Sequence, residues 1–217
     1  MLTAIGARWA VSAAVVLLLG GCSASGAGAP PEPSPSSTPT AVEERPAAVA
    51  ATLSFSASDV RALDAAGEPL STAGFGEGAG AVVALVTDTV GSSPVVSEET
   101  EQGCAGPHTS YQWDGAVVTA WTGTTAFVVG ITASSLGGIR IETTGGFAVG
   151  DDIVAFAAAA PAENVGHPSD SDTFVAFDVA SRTSSGDYES PVGSVGYATD
   201  GVLQSIVTPG EWSSFLC

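Results

Sequence analysis

The sequence predicts an α+β fold built as two tandem repeats, each a mostly antiparallel sheet with one packed helix, behind a signal peptide and a disordered tether. Three observations lead there. Apolar residues recur at helical spacing at Ala79, Val82, Val83, Val86 and Val90, one face of a helix. Asp114-Gly115 and Asp200-Gly201 each separate two apolar runs, a strong local sign of a β-hairpin. Finally, Ser71-Thr72-Ala73-Gly74-Phe75-Gly76-Glu77-Gly78 aligns with Thr143-Thr144-Gly145-Gly146-Phe147-Ala148-Val149-Gly150 at a constant offset of 72, and Thr, Gly, Phe and Gly match.

From the N-terminus, residues 1–21 read as an export signal. Arg8 gives a weakly positive start, Trp9 to Leu19 is apolar, and small residues follow. That run falls short of the roughly 20 apolar residues that a spanning helix needs. Leu19-Gly20-Gly21-Cys22 then resembles the lipobox of bacterial lipoproteins, in which the Cys is acylated and becomes the mature N-terminus. The resemblance implies a lipid on Cys22 and a place on the extracytoplasmic face of the cell membrane. Acyl chains bury at about 0.8 kcal/mol per CH2, so two or three of them hold a protein stably.

Residues 22–51 follow as the lipid-anchored tether. They are rich in Ala, Pro, Ser, Gly and Thr and include Ala29-Pro30-Pro31-Glu32-Pro33-Ser34-Pro35. Such a segment has too little apolar surface to offset its conformational entropy, and it is expected to remain disordered with polyproline character.

The first repeat is expected over 52–132. Val60-Arg61-Ala62 opens a hairpin, and the helix follows the Gly-rich stretch and stops at Gly91, with Pro94 beyond. Strands are expected over Ser110 to Trp113, Ala116 to Trp121 and Thr125 to Thr132. The second repeat, 133–217, opens on Ile139-Arg140-Ile141. Asp151-Asp152 are expected in the first helical turn, where carboxylates complement the helix dipole, and Pro161 ends the helix. Thr173 to Val179, Val192 to Thr199 and Val202 to Thr208 complete the set.

On a lipobox leader and a Pro/Ser/Ala tether, this layout resembles uncharacterised cell-envelope lipoproteins of actinobacteria. More distantly, it is similar to the tandem helix-plus-sheet repeats of the beta-lactamase-inhibitory proteins. That second likeness rests on layout and transfers no functional residue.

Cys104 and Cys217 remain. In an exported protein the simplest pairing is one disulfide between them; free thiols or a metal site are the alternatives, and no C-x-x-C spacing supports a redox or zinc role.

Catalytic signatures are missing. The Gly74 to Gly80 stretch lacks G-x-G-x-x-G spacing, and no Lys exists to complete a Walker A loop or form a Schiff base. No G-x-S-x-G occurs. His108 and His167 are the only side chains suited to proton transfer near neutrality, and both read as exposed loop histidines. Two constellations stand out. Glu163, His167, Asp170, Asp172 and Asp178 crowd one stretch, offering oxygen ligands for calcium or simply a solvated acidic loop; Ser171 and Ser181 break the EF-hand pattern. Tyr111, Trp113 and Trp121 surround the first hairpin as a binding surface or as core, with Tyr111 and Trp113 on one sheet face.

Charge narrows the partners. The chain has 5 basic side chains, all Arg, against 23 acidic ones, a net −18. The folded body from residue 52 carries 20 acids and 3 Arg, or −17. Nucleic acid is excluded, since phosphate contacts need clustered Lys and Arg. The reading is a non-enzymatic, surface-tethered binding module without a cofactor, whose company is the membrane through its lipid and another envelope protein or a glycan. The alternative is an envelope hydrolase or metal-dependent enzyme that no motif reveals.

Overall fold

In a computed structural model, residues 49–100, 106–185 and 188–210 are described, with 183–185 and 188–190 by backbone alone. They belong to the unit Pro46–Cys217. The described residues are mostly β, with two sheets and two helices. In order it forms β1 (Thr52–Phe55), β2 (Asp59–Leu63), β3 (Pro69–Gly74), a 3-10 turn (Phe75–Glu77), α1 (Ala79–Val90), β4 (Val95–Glu99), β5 (His108–Trp113), β6 (Ala116–Trp121) and β7 (Phe127–Ile131). Then come β8 (Ser135–Leu136), β9 (Ile139–Thr143), α2 (Val154–Ala159), a second 3-10 turn, β10 (Val165–Gly166), β11 (Asp172–Ser185), β12 (Tyr188–Thr199) and β13 (Val202–Gly210).

The smaller sheet runs β3-β2-β1-β9-β8, and the larger runs β10-β11-β12-β13-β7-β6-β5-β4. In the larger sheet, β4 to β7 and β10 to β13 are two four-stranded meanders that join where β7 pairs antiparallel with β13. Strands from both halves of the sequence therefore share one sheet. The smaller sheet mixes them too, because β1 pairs antiparallel with β2 and parallel with β9.

Local chemistry explains the turns. Gly115, at φ 97, serves the β5–β6 hairpin, and Asp200 and Gly201, at φ 53 and 79, make the β12–β13 turn. Both residues of that turn are left-handed, as a two-residue hairpin with right-twisted strands requires. α1 ends at Gly91 in the left-handed region, its N–H donating to the Thr87 carbonyl, and Val82, Leu85 and Val86 are its buried residues. Glu77, in the Gly-rich stretch, accepts the Gly74 N–H on Oε1 at 3.0 Å.

α2 departs from expectation. It begins at Val154, so Asp151 and Asp152 precede it. Their backbone is claimed by the neighbouring turn: Leu203 N–H donates to Asp151 O, and Ile153 N–H to Gly201 O, each at 2.9 Å. Asp152 still serves the helix start, accepting the Val154 N–H on Oδ1. β11 also runs longer than the apolar pattern indicates, through the Ser/Thr-rich residues 181–185, and β12 begins at Tyr188, ahead of Val192.

One core joins the sheets. Leu53, Phe55, Val60 and Ile141 of the smaller sheet cluster with Val118, Val129, Ile131, Leu203 and Ile206 of the larger, and α1 lies against β3 and β6. Each such aliphatic or Phe side chain contributes about 1.5–3 kcal/mol on full burial. Polar bonds fix the sheets' register: Thr208 Oγ1 donates to Ser56 O at 2.6 Å, and the Ala57 N–H reaches Asp178 Oδ2 at 2.9 Å.

Candidate functional site: the free edge of the large sheet

After α1, Gly91 turns the chain, and Pro94, which has no N–H and disfavours helix in the residue before it, leads into an extended strand. That strand is β4, with the sequence Val-Val-Ser-Glu-Glu. It pairs with β5 on one side and, among the described residues, with nothing on the other. Side chains alternate along a strand, so Val95, Ser97 and Glu99 share one face and Val96 and Glu98 the other. Val95 is 71% exposed and Val96 55%. An edge strand with two exposed β-branched residues presents unpaired N–H and C=O groups beside apolar surface, which is a template for another strand.

Each end of β4 opens on a cleft. At the Val95 end, a cleft of about 510 Å³ is lined by Val95, Gln112, Trp113, Val90, Leu136 and Gly137. Trp113 anchors its wall, its Nε1–H donating to the Ser92 carbonyl at 3.0 Å. At the Glu99 end lies a cleft of about 270 Å³, lined by Glu98, Glu99, His108, Thr109 and Thr122. His108 is buried, and its Nδ1 lies 2.9 Å from the Gly106 carbonyl. A carbonyl can only accept, so Nδ1 carries the proton there. Nε2 faces Glu99 Oε2 at 3.7 Å.

The three aromatics separate. Tyr111 lies opposite Val96 and Val118, on the core side of the sheet, and Trp113 shares that side; both pack against the core. Trp121 lies opposite His108, on the other face. Of the expected trio, Trp113 alone lines a cleft beside β4.

The five acidic-loop residues also part company. Asp178 holds the Ala57 N–H. Asp172 accepts from Ser169 Oγ at 2.8 Å, Tyr197 OH at 2.9 Å and Thr199 Oγ1 at 3.0 Å, and these bonds hold its pKa below the ordinary carboxylate value. Glu163 is exposed, and its carbonyl accepts from Arg182. Only His167 and Asp170 come together, on a cleft of about 410 Å³ walled by Val154, Ala157, Thr173 and Asp200. Among the described residues, no group of three or more His, Cys, Asp or Glu side chains could hold a metal ion. Nor is any described helix long and apolar enough to cross a membrane.

The sequence carries little sign of β4. Its one local signal is the Val95-Val96 pair directly after Pro94, and two Glu residues cut the apolar run short. Cys22, Cys104 and Cys217 lie outside the described residues. Compared with family models, curated proteins and solved structures, the chain finds no match.

Proposed function

We propose that this chain is a non-enzymatic interaction module of the cell envelope, held to the membrane by a lipid on Cys22, and that it takes a protein partner by adding a strand at β4. The observation that carries this is the β4 edge, which among the described residues no strand covers, with Val95 and Val96 exposed. Strand addition draws affinity from main-chain hydrogen bonds and specificity from alternate side-chain pockets, and β4 has a cleft at each end. A disordered tether ahead of the body would give it reach, since a coil of about 28 residues spans roughly 30 Å. A photo-crosslinker at Val96 tests the reading in intact envelopes, with one at exposed Leu70 as control. Specific adducts are expected at Val96 alone. If the two positions give the same adducts, or none, β4 is not the contact surface. Cys22→Ser is expected to release the protein from membranes, and retention there would sink the anchor.

Two structural readings accompany the proposal. The tandem repeat is favoured by the matched glycines Gly78 and Gly150, which both take positive φ, at 87 and 95, shortly before a helix. The meanders meeting at β7 and β13 favour it as well. The Cys104–Cys217 disulfide is favoured by reach. The start of β5 and the end of β13 lie at the same end of the large sheet, three strands apart, or about 14 Å. Cys217 follows Gly210 by seven residues, and seven extended residues cover roughly 23 Å. An intact mass that gains two hydrogens on reduction is the expected result; an unchanged mass rejects the bridge.

A further inference from the structure

Resting on the β4 reading, we infer that the partner strand is of one chemical class: an extended segment carrying two basic residues, one spacer and two apolar residues, in that order, added antiparallel to β4. The chemistry follows residue by residue. A strand laid beside β4 places its side chains directly opposite those of Val95, Val96, Ser97, Glu98 and Glu99, and each pair shares a face. Two apolar positions meet Val95 and Val96, and two positions meet the carboxylates of Glu98 and Glu99. The clefts extend this division. The one at the Val95 end offers Trp113, Val90 and Leu136 beside a single carboxylate, Asp114, while the one at the other end is walled by Glu98 and Glu99. Val95 and Glu99 stand about 13 Å apart along an extended chain, so a five-residue segment spans both clefts.

Antiparallel addition continues the pairing used throughout this sheet, and it is the more stable geometry per residue. In that direction the partner reads basic-basic-spacer-apolar-apolar from its N-terminus. A second copy of this chain fits badly. Self-pairing centred on Ser97 sets Glu98 against Val96 and Glu99 against Val95, and it brings together two molecules of net charge −18. Cations on the partner relieve what a copy would aggravate. The Arg side chains of the described residues are also engaged elsewhere: Arg61 with Asp59, Arg140 with Glu142, Arg182 with Asn164. They leave Glu98 and Glu99 without an Arg partner.

The full-length chain, titrated with fluorescein-labelled peptides, tests this. An Arg-Lys-Thr-Val-Ile peptide is expected to bind about tenfold or more tighter than its charge-swapped Glu-Asp-Thr-Val-Ile counterpart, and to weaken as salt is raised. It should also bind tighter than the reversed Ile-Val-Thr-Lys-Arg sequence. The double variant Glu98→Lys/Glu99→Lys, which replaces exposed Glu98 and the half-buried Glu99 that faces His108, is expected to invert the charge preference. It thereby separates charge recognition from misfolding. Amide exchange at Val95 to Glu99 reads the edge directly. If all three peptides slow that exchange and bind equally, the partner chemistry is wrong although the edge is a docking strand. If none slows it, the β4 reading falls as well.

Discussion

Thr208 and Asp178 do at residue scale what no local pattern announces: each sends or receives one hydrogen bond across the gap between the sheets, to Ser56 O and from the Ala57 N–H. Both bonds end on the turn between β1 and β2, so one buried and one half-buried polar contact set where one sheet sits over the other. Asp178, one of the acidic residues the sequence offers as an oxygen ligand, holds the Ala57 N–H here. Asp172, another of them, is also hydrogen-bonded. Its carboxylate is held by Ser169 first, then Tyr197 and Thr199, and its pKa is lowered from the ordinary 3.8. A carboxyl depressed in the folded state favours folding above its unfolded pKa, and that contribution is lost as pH falls through the folded value. A carboxyl-carbon NMR titration is therefore expected to place the Asp172 midpoint below 3.8. Ser169→Ala should raise it more than Tyr197→Phe does. A wild-type midpoint at or above 3.8 would show that the three hydroxyls do not act on the charged form.

Elements with a local cause were legible, and elements made by distant pairing were not. α1 announces itself by its apolar spacing and its Gly91 stop, and both Asp-Gly hairpins form where the turn chemistry places them. In contrast, the parallel pairing of β1 with β9 joins Thr52–Phe55 to Arg140–Thr143, and nothing in either short run names the other. The start of α2 departs from the sequence pattern for the same reason: a remote turn captures the backbone of Asp151 and Ile153. At the candidate site, Trp113 was legible as an aromatic on a hairpin. The β4 edge was not, because two Val residues before two Glu residues carry no periodicity. Contact between α2 and the β12–β13 turn yields a prediction at this scale. Gly201 sits at φ +79, and a Cβ there would lie 2.3 Å from Val154 Cγ2. Gly201→Ala combines a left-handed penalty with overpacking, and it is expected to cost about 1–3 kcal/mol. Urea unfolding should show a lower midpoint with an unchanged slope; an unaltered midpoint would mean that α2 is not seated on that turn.

The whole molecule is set by a charge imbalance on a mostly β frame. Its folded body carries 20 acids against 3 Arg, and two of those Arg are spent on neighbours two residues away, Asp59 and Glu142. Those pairs are exposed, and such pairs contribute only about 0–1 kcal/mol. They leave the long-range repulsion almost untouched. An excess of one sign disfavours the compact state and keeps copies of the molecule apart, which accords with the cationic partner proposed for the β4 edge. Salt acts on that repulsion directly: the screening length falls from about 10 Å at 0.1 M to about 3 Å at 1 M. Thermal unfolding in sodium chloride is therefore expected to shift to higher temperature as salt rises, most steeply at the low end. Sucrose, which strengthens burial without screening charge, separates the two causes, because its effect rises steadily with concentration. A melting temperature that stays flat or falls between low and moderate salt would mean that the carboxylates are already neutralised in the folded state. The electrostatic case for a basic partner at Glu98 and Glu99 would then lose its foundation.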